Sequence, residues 1–141
     1  MMNTITQKNS VNKIVNLTNK YKEIWTTGNV DEFDDILSKD FIRIASGKQQ
    51  SGISELKELV RLTHELYQDL KVNGVENIVA DNKVITRIKV TGTFKQTNKS
   101  FAINGLTIYE IQNGKIVKQW AELDELGGFM QVGITLNITE S

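Results

Sequence analysis

The chain has 141 residues with 17 basic and 17 acidic side chains, so its formal net charge is zero and no field gathers nucleic acid or an anionic membrane. It has no cysteine and one histidine, His64, which excludes disulfides, thiolate metal sites, cysteine nucleophiles and a multi-histidine metal centre, and argues against a catalytic triad. Length and 39% hydrophobic residues suit one domain with one core, no apolar run approaches the ~20 residues of a membrane span, and the N-terminus has no signal-peptide core, so a cytoplasmic protein is expected.

Residues 1–10 are polar and read as a flexible N-terminus, with one domain over 11–135. Ile14, Leu17, Tyr21, Ile24 and Trp25 recur at three and four residues and predict an amphipathic helix that Gly28 ends. Asn29 is placed to cap a second helix, with Glu32 completing a capping box and Phe33, Ile36 and Leu37 buried. Residues 41–45 read as a short strand and 47–52 as a polar loop. A third helix runs from Ile53 or Ser54 to Gln68, its stripe formed by Leu56, Leu59, Val60, Thr63, Leu66 and Tyr67, with His64 at the stripe's edge.

From Leu70 the hydrophobic period changes to two. Residues 70–80 and 83–94 predict two strands joined at Asp81-Asn82, and in the second Thr86, Ile88, Val90, Gly92 and Phe94 share the packed face. The segment 100–133 reads as a strand, a turn at Asn113-Gly114, another strand and a short helix capped by Asp124. Helices gathered before a curved, mainly antiparallel sheet give an α+β fold, a cone-shaped barrel with a ligand cavity at one end.

Several phrases carry a resemblance: Trp25-Thr26-Thr27-Gly28-Asn29-Val30-Asp31, Gly52 with Leu56-Lys57-Glu58-Leu59, Tyr67-Gln68-Asp69-Leu70, Asp81-Asn82-Lys83-Val84, Thr91-Gly92-Thr93, then Asn113-Gly114-Lys115-Ile116 leading to Trp120, Asp124, Gln131 and Gly133. In order and spacing they resemble the SnoaL-like polyketide cyclases, in the superfamily of nuclear transport factor 2 and ketosteroid isomerase. The resemblance implies the cone-shaped fold, a small hydrophobic or carbonyl-containing ligand, no cofactor or metal, and pairing through the outer sheet face into a homodimer. It also implies an aldol closure in which an aspartate on the last strand moves the proton, helped by a histidine and a glutamine on the preceding strand. On this chain those positions hold Ala121, Thr107 and Gly105.

The hairpin register decides which side chains face inward. A three-residue loop with Gly114 in a bulge position pairs Tyr109 with Val117 and Thr107 with Gln119, and is favoured over a two-residue turn. It places Ile103, Gly105, Thr107, Tyr109, Val117, Gln119, Ala121 and Leu123 on the pocket wall, and Leu106, Ile108, Ile116 and Trp120 outside as a dimer face. The expected ligand-binding residues are Tyr21, Trp25, Tyr67, Thr107, Tyr109 and Gln119. The acid-base candidates are His64, whose ordinary pKa lies near neutrality, and Glu122, which a one-residue shift would turn inward. Arg43, on its short strand, has two readings, a contact for an anionic ligand and a surface arginine, of which the second is favoured. The sequence supports two readings: a cofactor-independent cyclase or isomerase without the usual cyclase residues, and a non-catalytic ligand-binding or dimeric assembly domain.

Overall fold

A computed structural model of the chain describes residues 4–135. Helix α1 spans Thr4–Thr27, so it begins inside the stretch read as a frayed N-terminus; residues 1–3 of that stretch lie outside the described residues. Ser10 to Lys13 are exposed, so this first part of the helix rests on local propensity, and burial begins at the expected stripe. Gly28 closes the helix with φ 80° and its amide donating to the Ile24 carbonyl at 2.8 Å.

A 3-10 turn, Val30–Glu32, and a one-turn helix α2, Phe33–Ile36, follow. The expected capping box does not form: Asn29 makes no side-chain cap, and the Glu32 carboxylate is held by Lys20 at 3.2 Å. Strand β1 (Leu37–Ala45) continues through a tight turn at Ser46-Gly47 into β2 (Lys48–Ser51), which replaces the loop expected at 47–52. As an edge strand of Lys, Gln and Ser, β2 has none of the alternation by which strands are recognised in sequence. Helix α3 (Ile53–Leu66) ends two residues before the expected Gln68, because Tyr67 is already extended and opens β3 (Tyr67–Ala80).

Strands β4 (Lys83–Phe94), β5 (Lys99–Gln112) and β6 (Lys115–Leu123) and helix α4 (Glu125–Gln131) complete the chain. The six strands form one mixed sheet in the order β2-β1-β6-β5-β4-β3, with β1 parallel to β6 and all other neighbours antiparallel. The α+β cone expected from the sequence is thus observed, with Tyr21, Ile24, Phe33, Phe41, Leu56, Val60, Val84, Ile111 and Ile116 closing its base as the core.

The β5–β6 register corrects the favoured pairing. Asn113 and Gly114 both have positive φ, 51° and 74°, and Gln112 pairs with Lys115, so the turn has two residues. Val117 is the extra residue of a bulge in β6: Ile111 pairs with Ile116, but Glu110 pairs with Lys118 and Tyr109 with Gln119. The bulge restores the parity that the three-residue loop would have produced. Thr107, Tyr109, Gln119, Ala121 and Leu123 therefore face inward as expected, whereas Ile116 is fully buried in the core rather than on the outer face and Val117 does not line the cavity.

Beside Tyr21 on α1, Lys22 is only 5% exposed, and a Cβ added to Gly74 of β3 would lie 2.6 Å from its amine. No carboxylate among the described residues pairs with it. Burial holds its pKa below the ordinary lysine value of 10.5. With the folded pKa depressed, the protonated amine costs stability below that pKa, and the cost fades as pH rises toward 10.5. Lys22→Met is expected to raise stability by about 1 kcal/mol at neutral pH. In urea unfolding across pH, its advantage over the parent should shrink toward 10.5; a loss at neutral pH would contradict this account.

Candidate functional site

The inner face of the sheet builds the site row by row. In the deepest polar row, β1 lies between β2 and β6, so Arg43 stands in register with Gln50 on one side and Gln119 on the other, and Gln119 is opposite Tyr109. Helix α1 lays Tyr21 across this row. The Tyr21 hydroxyl donates to the Gln119 side-chain carbonyl at 2.5 Å, and its ring packs at 5.4 to 6.2 Å on Tyr109, Phe33 and Phe41. The next row runs through Ala45, Ala121, Thr107 and Thr86, with the Thr107 hydroxyl donating to the Thr86 carbonyl at 3.3 Å.

Together these rows floor a cavity of about 310 Å³. Leu59, Leu70, Val72, Ile88, Val90, Phe101 and Ile103 make its apolar walls, and the exposed Lys48, Glu125 and Phe129 stand among its lining side chains. Tyr67 packs edge-on against Phe101 at 5.2 Å. Helix α4 closes over the wall through Gly128, where a Cβ would come 3.2 Å from Ile103; Asp124 caps it by accepting from the Gly127 amide at 3.0 Å, as expected.

All six residues expected to contact a ligand, Tyr21, Trp25, Tyr67, Thr107, Tyr109 and Gln119, line this cavity. The two acid-base candidates do not. Glu122 pairs with Leu106 on the outer face and is exposed, because the bulge at Val117 keeps Ala121 inward. His64 turns away from the cavity toward the end of α1, its Nε2 donating to the Trp25 carbonyl at 2.7 Å beside Gly28. A carbonyl can only accept, so Nε2 carries the proton and the ring ties α3 to α1. The expectation that either side chain opens into the cavity is therefore corrected.

Arg43 is also not a surface residue. It is 9% exposed, lines the cavity, donates to the Gln50 side chain at 3.1 Å, and holds its guanidinium 5.4 Å from the centre of the Trp25 ring. The signal was the period of two: Phe41, Arg43 and Ala45 alternate on one face of β1, and all three are buried. Glu125 was missed because a carboxylate in a first helical turn reads as dipole complementation.

Burial raises the Tyr21 phenol pKa, opposed in part by the Arg43 charge, and pushes Tyr109 well above its ordinary range. Tyr67 is raised by burial and then by the Glu125 charge. At neutral pH all three are protonated and can donate hydrogen bonds. Among the described residues, Glu125 is the one carboxylate lining the cavity, and no cluster of His, Cys, Asp and Glu is arranged to hold a metal ion.

The profile of the SnoaL-like polyketide cyclases matches residues 15–132, most of the chain. The chain belongs to the SnoaL-like polyketide cyclase family. No curated protein matches the sequence. Solved structures similar to this SnoaL-like chain include TsrD from Streptomyces laurentii, at 18% identity and TM-score 0.79 over 87% of this chain and 96% of that one. A protein with a ketosteroid isomerase-like fold from Catenulispora acidiphila, solved with trimethylamine, aligns at 15% identity and TM-score 0.80 over 88% and 97%. A candidate polyketide cyclase from Bacillus cereus aligns at 21% identity and TM-score 0.79 over 88% and 83%. At these identities the likeness shows the shared fold. No described helix of this chain is long and apolar enough to cross a membrane.

Proposed function

We propose that this SnoaL-like chain binds a small, largely apolar molecule with an oxygen acceptor, held in the cavity by Tyr21, Trp25, Tyr67, Thr107, Tyr109 and Gln119. The observation that carries the reading is an apolar cavity of about 310 Å³ whose floor gathers buried polar side chains in one row. Tyr21 occupies the carbonyl of Gln119, which leaves the Gln119 amide nitrogen to donate to a ligand. The inward positions that correspond to the cyclase acid-base groups hold Gly105, Thr107 and Ala121, so this floor is suited to holding an oxygen that bears negative charge rather than to removing a proton. A cyclase or isomerase version of the reading draws its base from Glu125, which lines the cavity beside Tyr67.

The test uses a neutral carbonyl probe, methyl β-naphthyl ketone, and the fluorescence of Trp25. A Trp120→Phe background removes the only other tryptophan. Saturable binding is expected, and Gln119→Leu should weaken it about tenfold, the worth of one buried hydrogen bond. An absence of saturable binding to the folded protein would refute the reading.

We further propose that the chain pairs through its outer sheet face into a homodimer. Ile44, Trp120, Ile108, Ile85 and Ile78 stand in register across five strands as one apolar row. Charged side chains flank it: Lys118, Glu110 and Lys83 on one side, Glu122 and Arg87 on the other. Such a row supports self-association, since exposed apolar patches mark interfaces. Light scattering is expected to report a dimer at micromolar concentration and a monomer for Ile108→Glu; a monomeric parent would refute the pairing.

A further inference from the structure

We propose that the ligand selected by this cavity carries a carboxylate, seated against the guanidinium of Arg43. The proposal rests on the cavity reading above and adds the charge and chemical class of the ligand.

The argument starts from a charge the fold has buried without an opposite charge. Arg43 is 9% exposed. Gln50 accepts one hydrogen bond from its NH1 and Trp25 covers its face, but its Nε is buried with no partner. Every ion pair formed by the described residues lies elsewhere, and none includes Arg43. Taking a guanidinium out of water without pairing it is costly, and removing one hydrogen-bonded neighbour from a buried cation is costlier still. A fold that holds Arg43 there, lining the cavity, offers an incoming anion an unpaired charge.

The shape of that donor set favours a carboxylate. A guanidinium presents parallel N–H groups that a planar carboxylate accepts in a fork. The Gln119 amide nitrogen, in the neighbouring strand position, adds a donor for the second oxygen, its carbonyl being held by the Tyr21 hydroxyl. The remaining walls are apolar, which fits one charged end on a hydrophobic body. A phosphate dianion would bring more charge than one guanidinium answers, with Lys48 exposed and Glu125 of the opposite sign among the other lining groups.

The test compares three probes of one shape at neutral pH: β-naphthoate, the uncharged β-naphthamide, and methyl β-naphthyl ketone. Binding is read by Trp25 fluorescence in the Trp120→Phe background and by the thermal shift each probe produces. The parent protein is expected to prefer naphthoate over naphthamide by about tenfold to a hundredfold, the range of a charge-assisted hydrogen bond. Arg43→Met should abolish that preference, since it replaces the buried charge with apolar volume. Arg43→Lys should retain part of it, because an ammonium keeps the charge and loses the fork. Equal binding of naphthoate and naphthamide to the parent overturns the proposal even if Arg43→Met fails to fold, and so does a preference that survives Arg43→Met. In both cases ketone binding leaves the cavity reading standing. If none of the three probes binds the folded parent, both readings fall.

Discussion

Gly105→Gln is expected to destabilise the protein by about 3 kcal/mol, the upper end of what overpacking a filled interior costs. A Cβ at Gly105 would collide with the Leu123 side chain and lie 2.7 Å from the Glu122 carbonyl oxygen. The second contact is backbone and cannot swing aside. Gly105→Ala should already show much of the loss, because the clash is at the first carbon. Urea unfolding of the parent and both variants measures it, and a loss below about 0.5 kcal/mol for Gly105→Gln would show that β6 gives way more easily than its pairing suggests. The expectation bears on function. Gly105 is the position that the resemblance sets against a glutamine of the cyclases, and in this chain the space for a side chain there is taken by Leu123. A glutamine introduced at this position has no room on the present backbone.

Tyr21→Ala has the other large expected effect, a loss of about 3 to 5 kcal/mol, as for other aromatic truncations in cores. Tyr21 is 1% exposed and its ring meets Phe33, Phe41 and Tyr109 at once, so no single neighbour can collapse into the space. Tyr21→Phe separates the two jobs of the residue. It keeps the ring and removes the donor to Gln119, leaving a buried amide carbonyl unpaired at about 1 to 2 kcal/mol. The same variant should weaken methyl β-naphthyl ketone binding, because the freed Gln119 amide is no longer held in one orientation. If Tyr21→Phe matches the parent in both stability and binding, the hydrogen bond does not organise the floor.

The two variants probe opposite ends of what could be read before the structure. The favoured three-residue loop places Gly105 on the inward face, and that face is correct even though the pairing is not. A three-residue loop and a two-residue turn followed by a bulge at Val117 differ by two in register, and a shift of two leaves every side chain on the same face. Ile116 lies between the turn and the bulge, where the two registers differ by one, and it alone of the expected outer set is in the core. Tyr21 was legible as a core residue from the helical stripe, but its hydrogen bond spans 98 positions of sequence. Such a pairing has no local signature.

His64 and Arg43 were misread for related reasons. A lone histidine is the natural acid-base candidate, yet its ring is occupied by the Trp25 carbonyl where α3 crosses the end of α1. Arg43 was set aside because charged residues are mostly exposed. The period of two, with Phe41 and Ala45 buried on the same face of β1, places it inward. Only the closing of β1 between β2 and β6, with Trp25 laid over the guanidinium, made the burial visible.

By itself, the sequence of this SnoaL-like chain determined the α+β order, the packed face of β4 and the cap at Asp124. Each of these follows from local periodicity or from residue identity, which act within a few positions of the chain. The tertiary structure decided that β2 is a strand, that His64 and Glu122 stand outside the cavity, and that Arg43 is buried within it without an ionic partner. Those outcomes depend on which element lies across from which. That is set by strand pairing and helix packing between segments tens of residues apart, where a single bulge or an edge strand of polar residues leaves no pattern in the sequence.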